Sequence, residues 1–373
     1  MTSIVAAQPS DLIALAWYQL GYRPSESLLM VGLHGPRQQA GAVVRCDLPP
    51  TGAERPVLTS MAAPLVRSGA RSVVLLVCAD GACEQPVPRV VRAARRLLPD
   101  FGLGLVDSLA VGRDGYRSYD CSAPECCPRQ GRPLTEVFDS RVAAELILEG
   151  RSLLDGESSL VADVLPAEGD SPVAPGPDPA AGPDPAEVLR AWRLVLQAPS
   201  DKPAPPDQQA PPDQQAQPDQ QAQPDRQTLP VAGFLRDLVR AMADRKLRDA
   251  VMLTLVPGAD RLADSVLVGA GADALESTLR TAPDHELLER GVRLLAAAAR
   301  QAPAGDRAGP LGALAWLAWW SGQGGRARLL VDRALADQPG YRLAVLVDGL
   351  LELAVPPPWV PGTDRHPDRT SRS

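Results

Sequence analysis

The sequence is poor in several residue types on which common chemistries depend. Lys202 and Lys246 are the only lysines among 38 basic residues, and His34, His285 and His366 are the only histidines. Phosphate-loop nucleotide binding needs a lysine inside a glycine-rich turn. Lys246 lies in Asp244-Arg-Lys-Leu-Arg248 within a helical stretch, and Lys202 lies in a proline-rich spacer, so no nucleotide motif is expected. A pyridoxal Schiff base in the N-terminal region is excluded for the same reason. Three scattered histidines cannot build a multi-histidine metal centre within one chain. No Gly-x-Ser-x-Gly elbow occurs, and Gly102-Leu-Gly104 precedes a strand instead of following one.

Long apolar runs are also missing. The longest, Leu311–Trp320, is about half of what a membrane span requires. Met1–Asp11 has no basic stretch followed by an apolar one, so no signal peptide is expected. A cytoplasmic, reducing location follows, with the six cysteines as thiols or metal ligands and not a disulfide framework. Aromatics are only 4% and the formal net charge is −7. Phosphate-backbone binding is driven by clustered positive charge, so neither nucleic acid nor membrane is an expected partner.

What remains is a chain of 373 residues with 45% hydrophobic content, enough for two ordinary domains. Elements alternate over residues 1–163. A helix is expected from Ser10-Asp11 to Leu20, with Gly21 ending it. Strands are expected at Ser27–Leu33, Ala42–Leu48, Ser72–Cys78 and Leu103–Val111, and helices at Pro56–Ser68 and Thr135–Glu149. Between the last two strands, Val87, Val90, Val91, Ala94, Leu97 and Leu98 form one apolar stripe of a helix. Arg89, Arg92, Arg95 and Arg96 stay off it, as a solvated face or, alternatively, an anion site. Strands separated by helices imply an α/β domain, a mixed sheet covered by helices.

Residues 164–228 read as a Pro/Gln-rich disordered linker. Four six-residue copies, Ala204–Gln209 to Ala222–Gln227, place a proline in each and offer no apolar face. Within the linker, Pro185–Gln197 carries Val188, Leu189, Trp192, Val195 and Leu196 at helical spacing. Residues 229–355 show only helical patterns, at Leu229–Asp244, Lys246–Leu255, Asp284–Arg300, Pro310–Ser321, Gly325–Asp337 and Gly340–Ala354. Leu314, Ala327, Ala334 and Pro339 are spaced as in a tetratricopeptide-like hairpin, with Ala315 where that repeat prefers glycine. Small-residue helix packing explains the alanines equally well. The 356–373 tail is polar and proline-rich, and is expected to be disordered.

The candidate site is Tyr116-Arg-Ser-Tyr-Asp-Cys121-Ser-Ala-Pro-Glu-Cys126-Cys127-Pro128-Arg-Gln-Gly131. Three thiols in seven residues suit zinc or another thiophilic ion. A fourth ligand would come from His34, Cys78, Cys83 or Asp120, and the usual Cys-x-x-Cys loop is absent. Disulfide exchange of Cys121 with Cys126 or Cys127, eased by Arg117 and Arg129, is a second reading. A structural turn of packed thiols is the preferred one. Cys46 and Cys78 read as small core residues. Asp47 and Asp80 stand at strand C-terminal ends, where open α/β sheets bind ligands. If His34 lay beside Asp80 or a thiol, the pair could do acid–base work; a polar loop histidine is the alternative.

Ser10-Asp11-Leu12, Leu20-Gly-Tyr-Arg-Pro-Ser-Glu-Ser-Leu28, Val44-Arg-Cys-Asp-Leu-Pro49, Arg117-Ser-Tyr-Asp-Cys121 and Cys126-Cys-Pro128 together resemble an actinobacterial family. The family is known as domain of unknown function four-one-nine-two. Ala315-Trp-Leu-Ala-Trp319, Ala334-Leu335 and Pro339-Gly-Tyr341 resemble its C-terminal part. The resemblance implies a cytoplasmic bacterial protein and brings no activity, so no residue role is transferred. The expected function is a binding or regulatory module that meets a protein partner through its C-terminal helices. The alternatives are an α/β enzyme using thiol or acid–base chemistry at His34, Asp80, Cys121, Cys126 or Cys127, and a thiol or metal sensor.

Overall fold

Alternation along the strands decides the N-terminal architecture, because successive side chains of a strand point to opposite faces. In a computed structural model, which describes residues 8–149, 151–154, 156–166, 183–198 and 231–360, strand β1 spans Ser27–His34. Its Leu28 and Met30 join one buried cluster, while Leu29, Val31 and Leu33 join another. Strand β3, Ser72–Cys78, divides in the same way, with Val73, Leu75 and Val77 on one side and Val74, Leu76 and Cys78 on the other. A sheet that is apolar on both faces must be covered on both. Helices α1 (Pro9–Leu20), α4 (Thr135–Phe138) and α5 (Arg141–Leu148) cover one face. Helices α2 (Glu54–Arg67) and α3 (Arg89–Leu97) cover the other.

The sheet has six strands in the order β2-β1-β3-β4-β5-β6, adding β2 (Gln39–Asp47), β4 (Gly104–Val111), β5 (Gly115–Ser118) and β6 (Arg132–Pro133). It is mixed: β3 and β4 run parallel, and every other neighbouring pair is antiparallel. A mixed sheet covered by helices is what the alternating pattern predicted, and the structure places helices on both faces. Two details differ. The expected single helix over Thr135–Glu149 is two, because Ser140 takes an extended conformation and accepts a hydrogen bond from the Ala143 N–H, starting a new helix. Strands β5 and β6 were not foreseen; at four and two residues they carry too little periodicity to show. Gly21 ends α1 in the left-handed conformation at φ 80°, where a side chain would be strained.

Contacts divide the chain into two units. The described residues of the first fall within 8–163, 315–335 and 340–360, and those of the second within 164–166, 183–198, 231–314 and 336–339. The second unit is helical, with α6 (Pro185–Gln197), α7 (Val231–Ala241), α8 (Arg245–Leu253), α9 (Asp260–Leu267), α10 (Leu275–Leu279) and α11 (His285–Gln301). Trp192 of α6 is fully buried, and its indole N–H donates to Thr254 Oγ1 at 2.8 Å. Without that acceptor, burying the indole would leave an unpaired donor. Helix α12 (Ala308–Trp320) begins in the second unit and ends in the first, which also takes most of α13 (Gly324–Asp337) and all of α14 (Arg342–Glu352). The six-residue repeats and the residues beyond 360 lie outside the described residues. Among the described residues, no helix is long and apolar enough to cross a membrane.

Candidate functional site: a three-thiol turn

The cysteine turn leaves β5 and returns as β6, at the edge of the sheet. Adjacent cysteines in an extended chain would point to opposite sides. Here the Cys127 N–H donates to the Ala123 carbonyl at 2.9 Å, curling residues 123–127 into one turn. Pro128 stops the curl from continuing, since a residue before proline is driven out of helical conformation. The Sγ atoms of Cys121, Cys126 and Cys127 thereby come within 4.8 Å of one another, and those of Cys121 and Cys126 are 3.0 Å apart. Cys126 is exposed, and Cys121 and Cys127 are half-buried.

The three sulfurs are not equivalent. Hydrogen bonds from the Cys126 thiol, the Ala123 N–H and the Cys127 thiol hold the Cys121 thiol below its ordinary range. The Cys126 proton, held in its hydrogen bond to Cys121, is pushed up to about 11. Cys121 is thus the more acidic of the two sulfurs, and Cys126 the one that keeps its proton.

The turn is stitched to the sheet just before Cys121. Asp120 accepts from the Ser108 N–H at 3.0 Å and the Ser108 Oγ at 2.5 Å, and pairs with Arg95 of α3. Asp107 accepts from Ser118 Oγ at 2.6 Å and also from the Ser108 N–H at 2.7 Å. Burial pushes the Asp107 carboxyl up, its hydrogen bonds from Ser118 and Ser108 oppose that, and the neighbouring Asp120 charge raises it further. Sequence reading missed this carboxylate pair. Its signal was Asp107-Ser108 in the middle of an otherwise apolar strand, beside a register shift in the β3–β4 pairing.

The remaining candidates are not brought to the three sulfurs. His34 ends β1 beside the start of β3, whereas Asp80 follows the end of β3. The register from Leu33↔Ser72 to Ser27↔Cys78 separates them by about 20 Å. The expected Asp–His or Cys–His pair is therefore not made. The His34 imidazole instead lies over Gly41 of β2, where a Cβ would overlap it. Asp80 is exposed, and its carboxylate lies 4.0 Å from Arg113. Asp47 pairs with Arg45 at 2.8 Å. Cys78 is buried, its thiol pushed by burial to about 12, and Cys83 is buried and donates to the Gly115 carbonyl at 3.2 Å. Cys46 is half-buried against Met61. None of these supplies a fourth ligand.

The fold and the site together define an α/β protein that displays three converging thiols on a sheet-edge turn. The chain belongs to the family described as Domain of unknown function (DUF4192), which it matches over residues 9–358. No match to a curated protein or to a solved structure accompanies it.

Proposed function

We propose that this protein is a regulatory or binding module whose input is a thiophilic metal ion taken by Cys121, Cys126 and Cys127. The carrying observation is the convergence of three Sγ atoms within 4.8 Å. Zinc–sulfur bonds of about 2.3 Å place tetrahedral ligands about 3.8 Å apart, so side-chain rotations alone would close the set around an ion. The fourth position then stays open to solvent or to a ligand from outside, which suits an exchangeable site. Free thiols require a reducing compartment, and a cytoplasmic location is part of this proposal. The 3.0 Å contact between Cys121 and Cys126 favours a second reading, a reversible disulfide formed when an oxidant removes two electrons and two protons.

A protein partner for the C-terminal helices rests on α14, where Val345, Leu346 and the following Leu353 are exposed apolar side chains. The tetratricopeptide-like spacing of Leu314, Ala327, Ala334 and Pro339 belongs to that same proposal.

The test is metal titration of the full, reduced chain, read by native mass spectrometry and by the thiolate-to-metal charge-transfer band of cobalt(II). One ion should bind per chain, and each single Cys→Ser replacement at 121, 126 or 127 should weaken binding on the order of 10²-fold or more. A folded, reduced protein that leaves all three thiols freely alkylated in excess zinc would sink the metal reading. Loss of two hydrogens on mild oxidation, restored by a dithiol, would then select the disulfide.

A further inference from the structure

The first turn of α3 is built against its own stability. A helix N-terminus carries partial positive charge and favours acidic side chains. Helix α3 begins with Arg89, adds Arg92 one turn on and has no acidic residue in its first turn. Arg96 continues the row, and like charges three or four residues apart repel. All three arginines are exposed. The Arg89 and Arg96 side chains have no ion pair or hydrogen bond among the described residues, and the Arg92 guanidinium donates to the Val87 carbonyl.

These arginines face a second positive element. With Ala93 they line a cavity of about 230 Å³ whose opposite wall is Thr51, Gly52 and Glu54, the entry to α2. Ala53 gives that helix no side-chain cap, so its first N–H groups are not satisfied by a neighbouring side chain. The one acid in the wall, Glu54, already accepts the Gly52 N–H at 2.8 Å. Three guanidinium groups against one carboxylate leave an excess of two positive charges, beside two helix N-termini.

We propose that this cavity binds the phosphate group of a small soluble ligand. A dianion would neutralise the excess charge, satisfy the fork-shaped donors of Arg89 and Arg96, and remove the mismatch at the start of α3. The cavity is smaller than the roughly 300–1,000 Å³ that encloses drug-sized molecules, so it fits a phosphate with a small attached body. The site shares no residue with the thiol turn and needs no metal.

The experiment is calorimetric titration of the full chain with inorganic phosphate and pyrophosphate, at constant ionic strength against chloride, with thermal melts in parallel. Both anions should bind, and the R89Q/R96Q variant should bind at least about tenfold more weakly. Without ligand that variant should melt at or above the parent temperature, since it loses like-charge repulsion. Should it melt lower, R89K/R96K keeps the charge and should retain binding within about tenfold of the parent. Equal binding by parent and R89Q/R96Q overturns the proposal, as does the absence of binding to either anion. Arginine-dependent binding of duplex DNA or anionic vesicles alone would overturn it too, since the ligand would then be a polyanionic surface.

Discussion

The six cysteines form two populations that share a side chain and little else. Cys46, Cys78 and Cys83 sit in or against the core, where burial raises each thiol: Cys46 to about 11, Cys78 to about 12, and Cys83 upward against a hydrogen bond from Gly112. Cys121, Cys126 and Cys127 sit at the sheet edge, where proximity to one another lowers Cys121 at the expense of Cys126. Desolvation makes the first group inert, and mutual hydrogen bonding differentiates the second. Reactivity is therefore a property of the turn and not of cysteine content.

The sharpest way to break this comparison is alkylation of reduced, metal-stripped protein at pH 8, followed by peptide mass analysis. A thiol at about 12 is ionised in about one molecule in 10⁴ at that pH, and burial hides it further. Cys121 should be modified at least about 10³-fold faster than Cys78, which should react only when the protein unfolds. Comparable rates would erase the distinction.

A second test targets the point where the turn meets the core thiol of Cys83. Gly131, just before β6, has φ +85°, and a Cβ there would lie 2.9 Å from the Tyr116 nitrogen and 3.0 Å from Cys83 Sγ. Gly131→Ala combines left-handed strain with overlap against backbone, and should destabilise the fold by about 2–4 kcal/mol in denaturant titration. A neutral result would show that the turn can lift off the core thiol freely.

The smallest effect concerns Asp107. Burial raises its pKa in the folded state above the ordinary value of 3.8, so the native protein holds that proton more tightly than the unfolded chain. Stability from this group is present below pH 3.8 and is lost as pH rises through the higher native value. Asp107→Asn, which keeps an acceptor for Ser118, should match the parent at low pH and be slightly more stable than it above that window. Removing a charge that raises Cys121 should also lower that thiol further. Melting curves between pH 3 and 7 would show the opposite trend if Asp107 were held ionised by its hydrogen bonds.

Legibility in the sequence followed the range of the forces involved. Ser72–Cys78 could be read to the residue, because a β-branched, two-sided apolar strand is specified locally. The apolar stripe of α3 was equally plain. Strand β6, Arg132–Pro133, exists only because Gly115 and Tyr116 lie opposite it, a long-range pairing that no local pattern announces. At the site, the three thiols stood out by composition, but their convergence depends on one main-chain hydrogen bond and one proline. Asp107 and Asp120 are thirteen positions apart, and only the β4–β5 hairpin makes them neighbours. His34 and Asp80 failed as a pair for the converse reason. Each stood at a strand terminus, and the antiparallel pairing of β1 with β3 sent those termini to opposite ends.

Helix α3 carries a further consequence. Arg95 ties it to Asp120, the residue before Cys121, while Arg92 and Arg96, on adjoining positions, look into the arginine-lined cavity. One nine-residue rod is thus shared by a sulfur site and a cationic site. Thermodynamic linkage is reciprocal: if filling one site displaces that rod, the affinity of the other must change, and by the same factor in both directions.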